Sequence, residues 1–214
     1  MPIIGVGGGI ASGKTTVCKL FEKWGAHIID ADLIGKRVVD ENPDLQKELA
    51  RAFGEGIVSH DGSIDRRKLG KIVFQDQSSR KKLNEIVHPA LLAELTRQVK
   101  EWQKEHPEAT IVIDAALLLE WDLNFLLDML IVVEADTTKR MERLVGHLGL
   151  TPEEASDRIE AQSNFEAKGS QADYSMTNNS TVEELEQQAR IIWEMIMKNS
   201  KSKTHNPKNE ILNL

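Results

Sequence analysis

The string Gly8-Gly9-Ile10-Ala11-Ser12-Gly13-Lys14-Thr15 constrains this chain more than any other stretch, because it fits G-x-x-x-x-G-K-[ST] at every fixed position. It follows Pro2-Ile3-Ile4-Gly5-Val6-Gly7, a β-branched run ending in glycines that reads as a buried parallel strand. Beyond it Val17, Leu20, Phe21 and Trp24 recur at helical spacing until Gly25 stops them. Strand, glycine loop and helix N-terminus in succession aim backbone N–H groups at an anion. Gly8, Gly9, Ile10, Ala11, Ser12, Gly13, Lys14, Thr15 and Thr16 are therefore expected to cradle the phosphates of a nucleoside triphosphate. Lys14 would neutralise the β- and γ-phosphates and the Thr15 hydroxyl would face Mg²⁺. The motif is specific for the nucleotide and silent on what receives the phosphate.

The rest of the chain continues an α/β rhythm with one long interruption. His27 to Asp30 reads as a second strand ending in the acidic pair Asp30 and Asp32. Residues 33–106 are almost entirely helix-like, with turn signals at Asn42-Pro43, Gly54 to Gly56 and Asp61-Gly62, and another helix start at His88-Pro89. Strands return at Thr110 to Asp114, Met129 to Val133 and Tyr174 to Thr177. A charged helical stretch spans Thr137 to about Lys168, and an amphipathic helix runs from Thr181 to about Met197, where Thr181 with Glu184 forms a capping-box pattern. The expected fold is a three-layer P-loop nucleotide-binding domain with a parallel sheet, a helical acceptor-binding insertion and a helical lid. Its parts are a core of 1–32, 107–136 and 169–199, an insertion of 33–106, a lid of 137–168 and a flexible tail of 200–214, where periodicity gives way to Ser, Lys, Asn and Pro.

Composition excludes several classes of partner. A net charge of -7 over 214 residues opposes broad binding of nucleic acid or anionic membrane, both of which require a positive surface. The single cysteine, Cys18, rules out an internal disulfide and suits a reducing cytoplasm; it lies beside the apolar stripe of the first helix and reads as packing. No apolar run is long enough for a transmembrane helix, and no secretory leader pattern is present. Trp102 and Trp193 read as core or surface anchors.

Outside the loop, each candidate residue has a chemical and a bland reading. Asp30 and Asp32 stand where open α/β sheets present ligand groups, able to hold Mg²⁺ through water or to accept the proton of an attacking hydroxyl, or else to cap the next helix. Asp114 closes its strand as a Walker B-like acid for magnesium-bound water, or caps the helical segment after it. Lys139, Arg140, Arg143, Arg158 and Lys168 supply cations that close over phosphates as a lid, or a solvated helix face. His88 meets a ligand or caps a helix.

In order and spacing these pieces resemble the dephospho-coenzyme A kinase family from the loop to about Leu185. The matching residues are Gly8 to Thr16, Asp30-Ala31-Asp32, Phe53-Gly54, Asp61-Gly62, Asp65-Arg66, Leu69, Val73-Phe74, Ile86 to Pro89, Leu117-Leu118 with Glu120, Arg143, Arg158, Gln162, Lys168 with Ala172-Asp173, and Asn178. The resemblance implies ATP-dependent phosphorylation of the ribose 3'-hydroxyl of dephospho-coenzyme A, the last step of coenzyme A biosynthesis, with Mg²⁺. It further implies Asp32 as general base, Lys14 and Arg143 as catalytic cations, Thr15 and Asp114 at the metal, and Arg66, His88 and Leu117 with Asp32 at the acceptor. Partners would be ATP and dephospho-coenzyme A alone, and the chain a monomer or weak homo-oligomer. The sequence departs from the family pattern at Gly7, at Gly35-Lys36 where alanine-arginine is usual, at Ala116 where proline is usual, and at His147 where a second lid arginine is usual.

Two other readings share the loop. Another nucleotide or small-metabolite kinase would differ only in the insertion, and a catalytically degenerate module would hold ATP without transferring phosphate. A GTPase would need an N-K-x-D segment after a strand, and none is present.

Overall fold

The computed structural model describes residues 2–115, 125–160, 162 and 172–202, with backbone alone at 74, 75 and 200–202. All five expected strands form: β1 (Ile3–Gly8), β2 (His27–Asp30), β3 (Ile111–Asp114), β4 (Met129–Glu134) and β5 (Tyr174–Thr177). They make one parallel sheet in the order β2-β3-β1-β4-β5. The chain leaves β1 toward β2 on one side and later returns to place β4 on the other. The carboxyl end of β1 is therefore a switch point, where open α/β sheets form a crevice for ligands.

The contacts divide the chain into two units, one built from the residues up to Asp30 with those from Val99 onward, the other from Ala31–Gln98. In the first, strand residues of alternating parity are buried on both faces: Ile4, Val6, Ile131 and Val133 toward one side, Ile3, Ile111, Ile113 and Val132 in the opposite phase. Helix α1 (Lys14–Lys23) packs Val17, Cys18 and Phe21 onto the first of these faces. Leu185, Ala189, Ile192 and Ile196 of the last helix join them, and the Trp193 ring stacks on Phe21 at 5.2 Å.

The second unit holds α2 (Ala31–Glu41), α3 (Pro43–Phe53), a 3₁₀ turn at Glu55–Ile57, α4 (Arg66–Gln75) and most of α5 (Gln77–Glu105). Its turns are those the sequence signals. Asn42 caps α3 through bonds from the Asp44 and Leu45 amides, both 3.1 Å, with Pro43 at the first helical position. Asp65 caps α4 by accepting from the Arg67 and Lys68 amides. Leu45, Leu49, Ile57, Ile64, Leu69 and Val73 form its core.

Three expectations are corrected. The strand expected to end in two aspartates ends at Asp30, and Asp32 lies in the first turn of α2. No helix begins at His88-Pro89; α5 runs unbroken across it. Proline lacks an N–H and opposes a helix interior, yet Ile86, Val87 and Ala90 around it pack on the unit's core, and Leu91 and Leu95 are buried one turn apart. Packing of that face outweighs the local penalty. The last helix, numbered α8 after α6 (Thr137–Leu148) and α7 (Pro152–Glu160), spans Val182–Ser202, so residues 200–202 of the expected tail are helical. Thr181 caps it, the Glu184 amide donating to Thr181 Oγ1 at 3.3 Å, which is one of the two bonds of the expected capping box. Residues 203–214 lie outside the described residues. No described helix is long and apolar enough to cross a membrane.

Candidate active site

The glycine loop joins the end of β1 to α1 through backbone conformations that side chains oppose. Gly13 has φ +102°, and a Cβ there would run into the Asn178 carboxamide. Ala11 is left-handed as well, at φ 59°, the one such residue besides glycine among those described. A residue so placed persists only where its surroundings hold it. Here they do: Ile10 and Ala11 pack against Leu144, Ala155 and Ile159, the small core joining α6 to α7.

Three successive loop carbonyls are then bound from outside. Arg140 Nε donates to Ile10 O at 2.9 Å, Arg143 Nη1 to Ala11 O at 3.0 Å, and Asn178 Nδ2 to Ser12 O at 2.7 Å. Arg143 also donates through Nη2 to the backbone oxygen of Asn178 at 2.8 Å. The Ile10 amide donates to Gln162 Oε1 at 2.6 Å, and the Ser12 amide to Gly9 O at 3.1 Å. Arg140 is 4% exposed, packed so close over Gly9 that a Cβ on that residue would lie 2.7 Å from its guanidinium. The two arginines, expected to act as a lid, each donate to the loop backbone.

On the sheet side, Lys14 Nζ is ion-paired with Asp114 Oδ1. Asp114 closes β3 beside Val6 of β1 and Asp30 of β2. Cys18, one turn along α1 from Lys14, is buried here; desolvation first, and the Asp114 carboxylate second, push its thiol far above the usual range. It is a packing residue, as its position in the sequence suggested.

Thr15 is exposed at the start of α1, so its hydroxyl, Asp114 and Asp30 give a set of hard oxygen donors at the carboxyl edge of the sheet. Among the described residues no three His, Cys, Asp or Glu side chains gather as a metal cage. That donor set fits Mg²⁺, which keeps waters and binds through one or two carboxylates plus substrate phosphate.

The loop from Gly8 to Thr15, with Arg143, His147, Leu148 and Gln162, lines a cavity of about 440 Å³. His147 thus faces the same space as the phosphate loop, one turn beyond Arg143. Arg158 is half-buried on α7. In the helical unit, Arg66 Nη2 donates to Asp40 Oδ1 at 2.6 Å and to Lys36 O at 2.7 Å, tying α4 to α2. His88 lies inside α5, and Asp32 is half-buried in the first turn of α2. Leu117, Ala116 and Lys168 lie outside the described residues.

Asn178 and Gln162 are the functional candidates to which residue-level reasoning assigned no role. Each touches the loop across more than 150 positions of chain, 166 for Asn178 and 152 for Gln162, and no local pattern marks such a partner. The only signal was their place in the family pattern.

The family model described as dephospho-CoA kinase matches residues 2–184. A dephospho-CoA kinase of Bacillus cereus is 38% identical over 197 residues, covering 91% of this chain and 98% of the relative. One of Geobacter sulfurreducens is 40% identical over 195 residues, covering 90% and 98%. The solved dephospho-CoA kinase of Campylobacter jejuni superposes with a TM-score of 0.66 at 25% identity, covering 92% of this chain and 98% of that one. With matches of this extent beginning before the glycine loop and running through it, the chain belongs to the dephospho-CoA kinase family.

Proposed function

We propose that this chain transfers the γ-phosphoryl group of ATP to the ribose 3'-hydroxyl of dephospho-coenzyme A, completing coenzyme A. The observation that carries the reading is the glycine loop, with three successive carbonyls bound by Arg140, Arg143 and Asn178 and with Lys14 at the sheet edge. Carbonyl and following amide point opposite ways across a trans peptide. With Ser12 O bound by Asn178, the Gly13 N–H therefore points away from Asn178.

Phosphoryl transfer asks little covalent chemistry of a protein and much positioning and charge stabilisation. The loop amides and Lys14 stabilise the negative charge on the transferring group in place of water. The bond from the acceptor oxygen to the γ-phosphorus forms as the bridging bond to the β-phosphate breaks, releasing ADP. Asp32 accepts the hydroxyl proton. Thr15 and Asp114 would hold Mg²⁺, which would supply neutralisation of the phosphate oxygens. Arg143 adds positive charge to the wall of the cavity, which His147 also lines. Arg66 and His88 of the helical unit, and Leu117, bind the acceptor. We place the reaction in the cytoplasm, where a chain with one cysteine needs no oxidising compartment.

Purified protein incubated with ATP, Mg²⁺ and dephospho-coenzyme A should yield ADP and a product heavier by one phosphate. Phosphorylation of a nucleoside monophosphate in its place would replace the acceptor. ATP binding with no transfer to either would leave a binding module.

A further inference from the structure

We propose that Asn178 is a positioning residue for the phosphate cradle: it fixes the direction of the Ser12–Gly13 peptide, and Arg143 in turn fixes Asn178. The inference rests on the cradle reading above and deepens it.

Asn178 follows β5 directly and is 8% exposed. Its own amide donates to Glu134 O at 2.8 Å, fastening it to the end of β4. Its carboxamide then works in two directions. Nδ2 donates to Ser12 O at 2.7 Å, while Oδ1 accepts from Arg143 Nη2 at 3.2 Å. The opposite orientation of the amide would set its NH₂ against a guanidinium and its oxygen against a carbonyl, so the contacts select one. A carboxamide meets both demands; a carboxylate would satisfy Arg143 and repel Ser12 O, and an apolar side chain would do neither.

The consequence falls on Gly13. With Ser12 O turned toward Asn178, the Gly13 N–H points the other way. Gly13 adopts φ +102° without strain, but Ala11 at φ 59° carries the loop through a conformation that persists only with external supports. Arg143 couples two of those supports, since it bonds both Ala11 O and the backbone oxygen of Asn178. Its role thus widens from a phosphate-facing cation to the hub that orders the loop.

The test is Asn178→Asp, which keeps the shape and the acceptor for Arg143 but removes the donor. Loss of that one bond to a buried carbonyl is expected to weaken ADP binding and raise the KM for ATP by about ten-fold. The KM for dephospho-coenzyme A should change by less than about two-fold, and the nucleotide-free melting temperature should fall by only a few degrees. The Gly13 amide resonance should shift in the variant and respond less to added ADP. An unchanged ADP affinity overturns the proposal, as does an equal loss toward both substrates with collapse of the melting temperature, the mark of a merely structural residue. If Asn178→Asp does not fold, the parent decides: its Asn178 side-chain amide protons should exchange with solvent far more slowly than those of an exposed asparagine, and exchange at the exposed rate sinks the idea. A parent protein that fails to bind ATP at all fails the cradle reading itself, which this exchange measurement does not depend on.

Discussion

Lys14, the cation of the glycine loop, is ion-paired with Asp114, the residue that closes β3 in register with Val6 and Asp30. Their side chains are only 12% and 11% exposed, so each charge relies on the other for what water does not supply. The same pair joins the two halves of the proposed chemistry, phosphate charge and metal-bound water.

Lys14→Met should lower kcat/KM by at least about a thousand-fold through loss of charge stabilisation. It should also destabilise the fold by about 1–3 kcal/mol, below the full cost of orphaning a wholly buried charge because some water reaches the site. Adding Asp114→Asn should restore most of the melting temperature and none of the activity. Thermal unfolding and steady-state assays on the two variants separate these effects; a double variant no more stable than the single one would refute the pairing argument.

Asp32→Asn should reduce kcat by roughly 10²–10⁴, the usual worth of a positioned general base, with ATP affinity nearly unchanged. Calorimetric titration of ATP beside a product assay checks both halves. Parental turnover would remove Asp32 from the mechanism.

His147 shares its cavity with the glycine loop and Arg143. His147→Arg places a permanent, planar cation on that wall, so ATP should bind several-fold more tightly to the variant than to the parent in calorimetric titration. Equal affinities for the two proteins would exclude position 147 from the phosphates.

Away from the site, the His27 ring lies flat on Trp102, 3.5 Å between centroids and 7° between planes, with His106 on the same indole at 4.3 Å. Burial, and then the charge of His106, hold the His27 pKa below its ordinary value against a smaller opposing pull from Glu22. The unfolded chain therefore binds more protons than the folded one, so stability rises with pH through the window that ends near about 6.5 and falls as the pH drops below it. His27→Phe keeps a flat ring on Trp102 and should make the denaturant midpoint less sensitive between pH 5 and 7. An unaltered pH slope would show that the loss originates elsewhere.

Much of the fold was legible because its signals are local. Ile3 to Gly8, Ile111 to Asp114 and Met129 to Glu134 are apolar runs whose burial on both faces demands a parallel sheet with covered sides. Asn42-Pro43 and Thr181 with Glu184 cap helices through side-chain chemistry that acts within four residues. Pro89 shows the limit: its local signal is a helix start, and the packing of Ile86, Val87 and Ala90 overrules it.

From sequence alone came the nucleotide loop, the acids at Asp30, Asp32 and Asp114, and the order of strands along the chain, since each depends on residue type and near-neighbour spacing. Only the tertiary structure could set β3 between β1 and β2, bring Asp114 to Lys14, and carry Arg140, Arg143 and Asn178 onto the carbonyls of residues 10–12. Those contacts span 100 to 166 positions, and they are selected by the closure of the sheet and the packing of α6 and α7 on the loop, which no local propensity encodes.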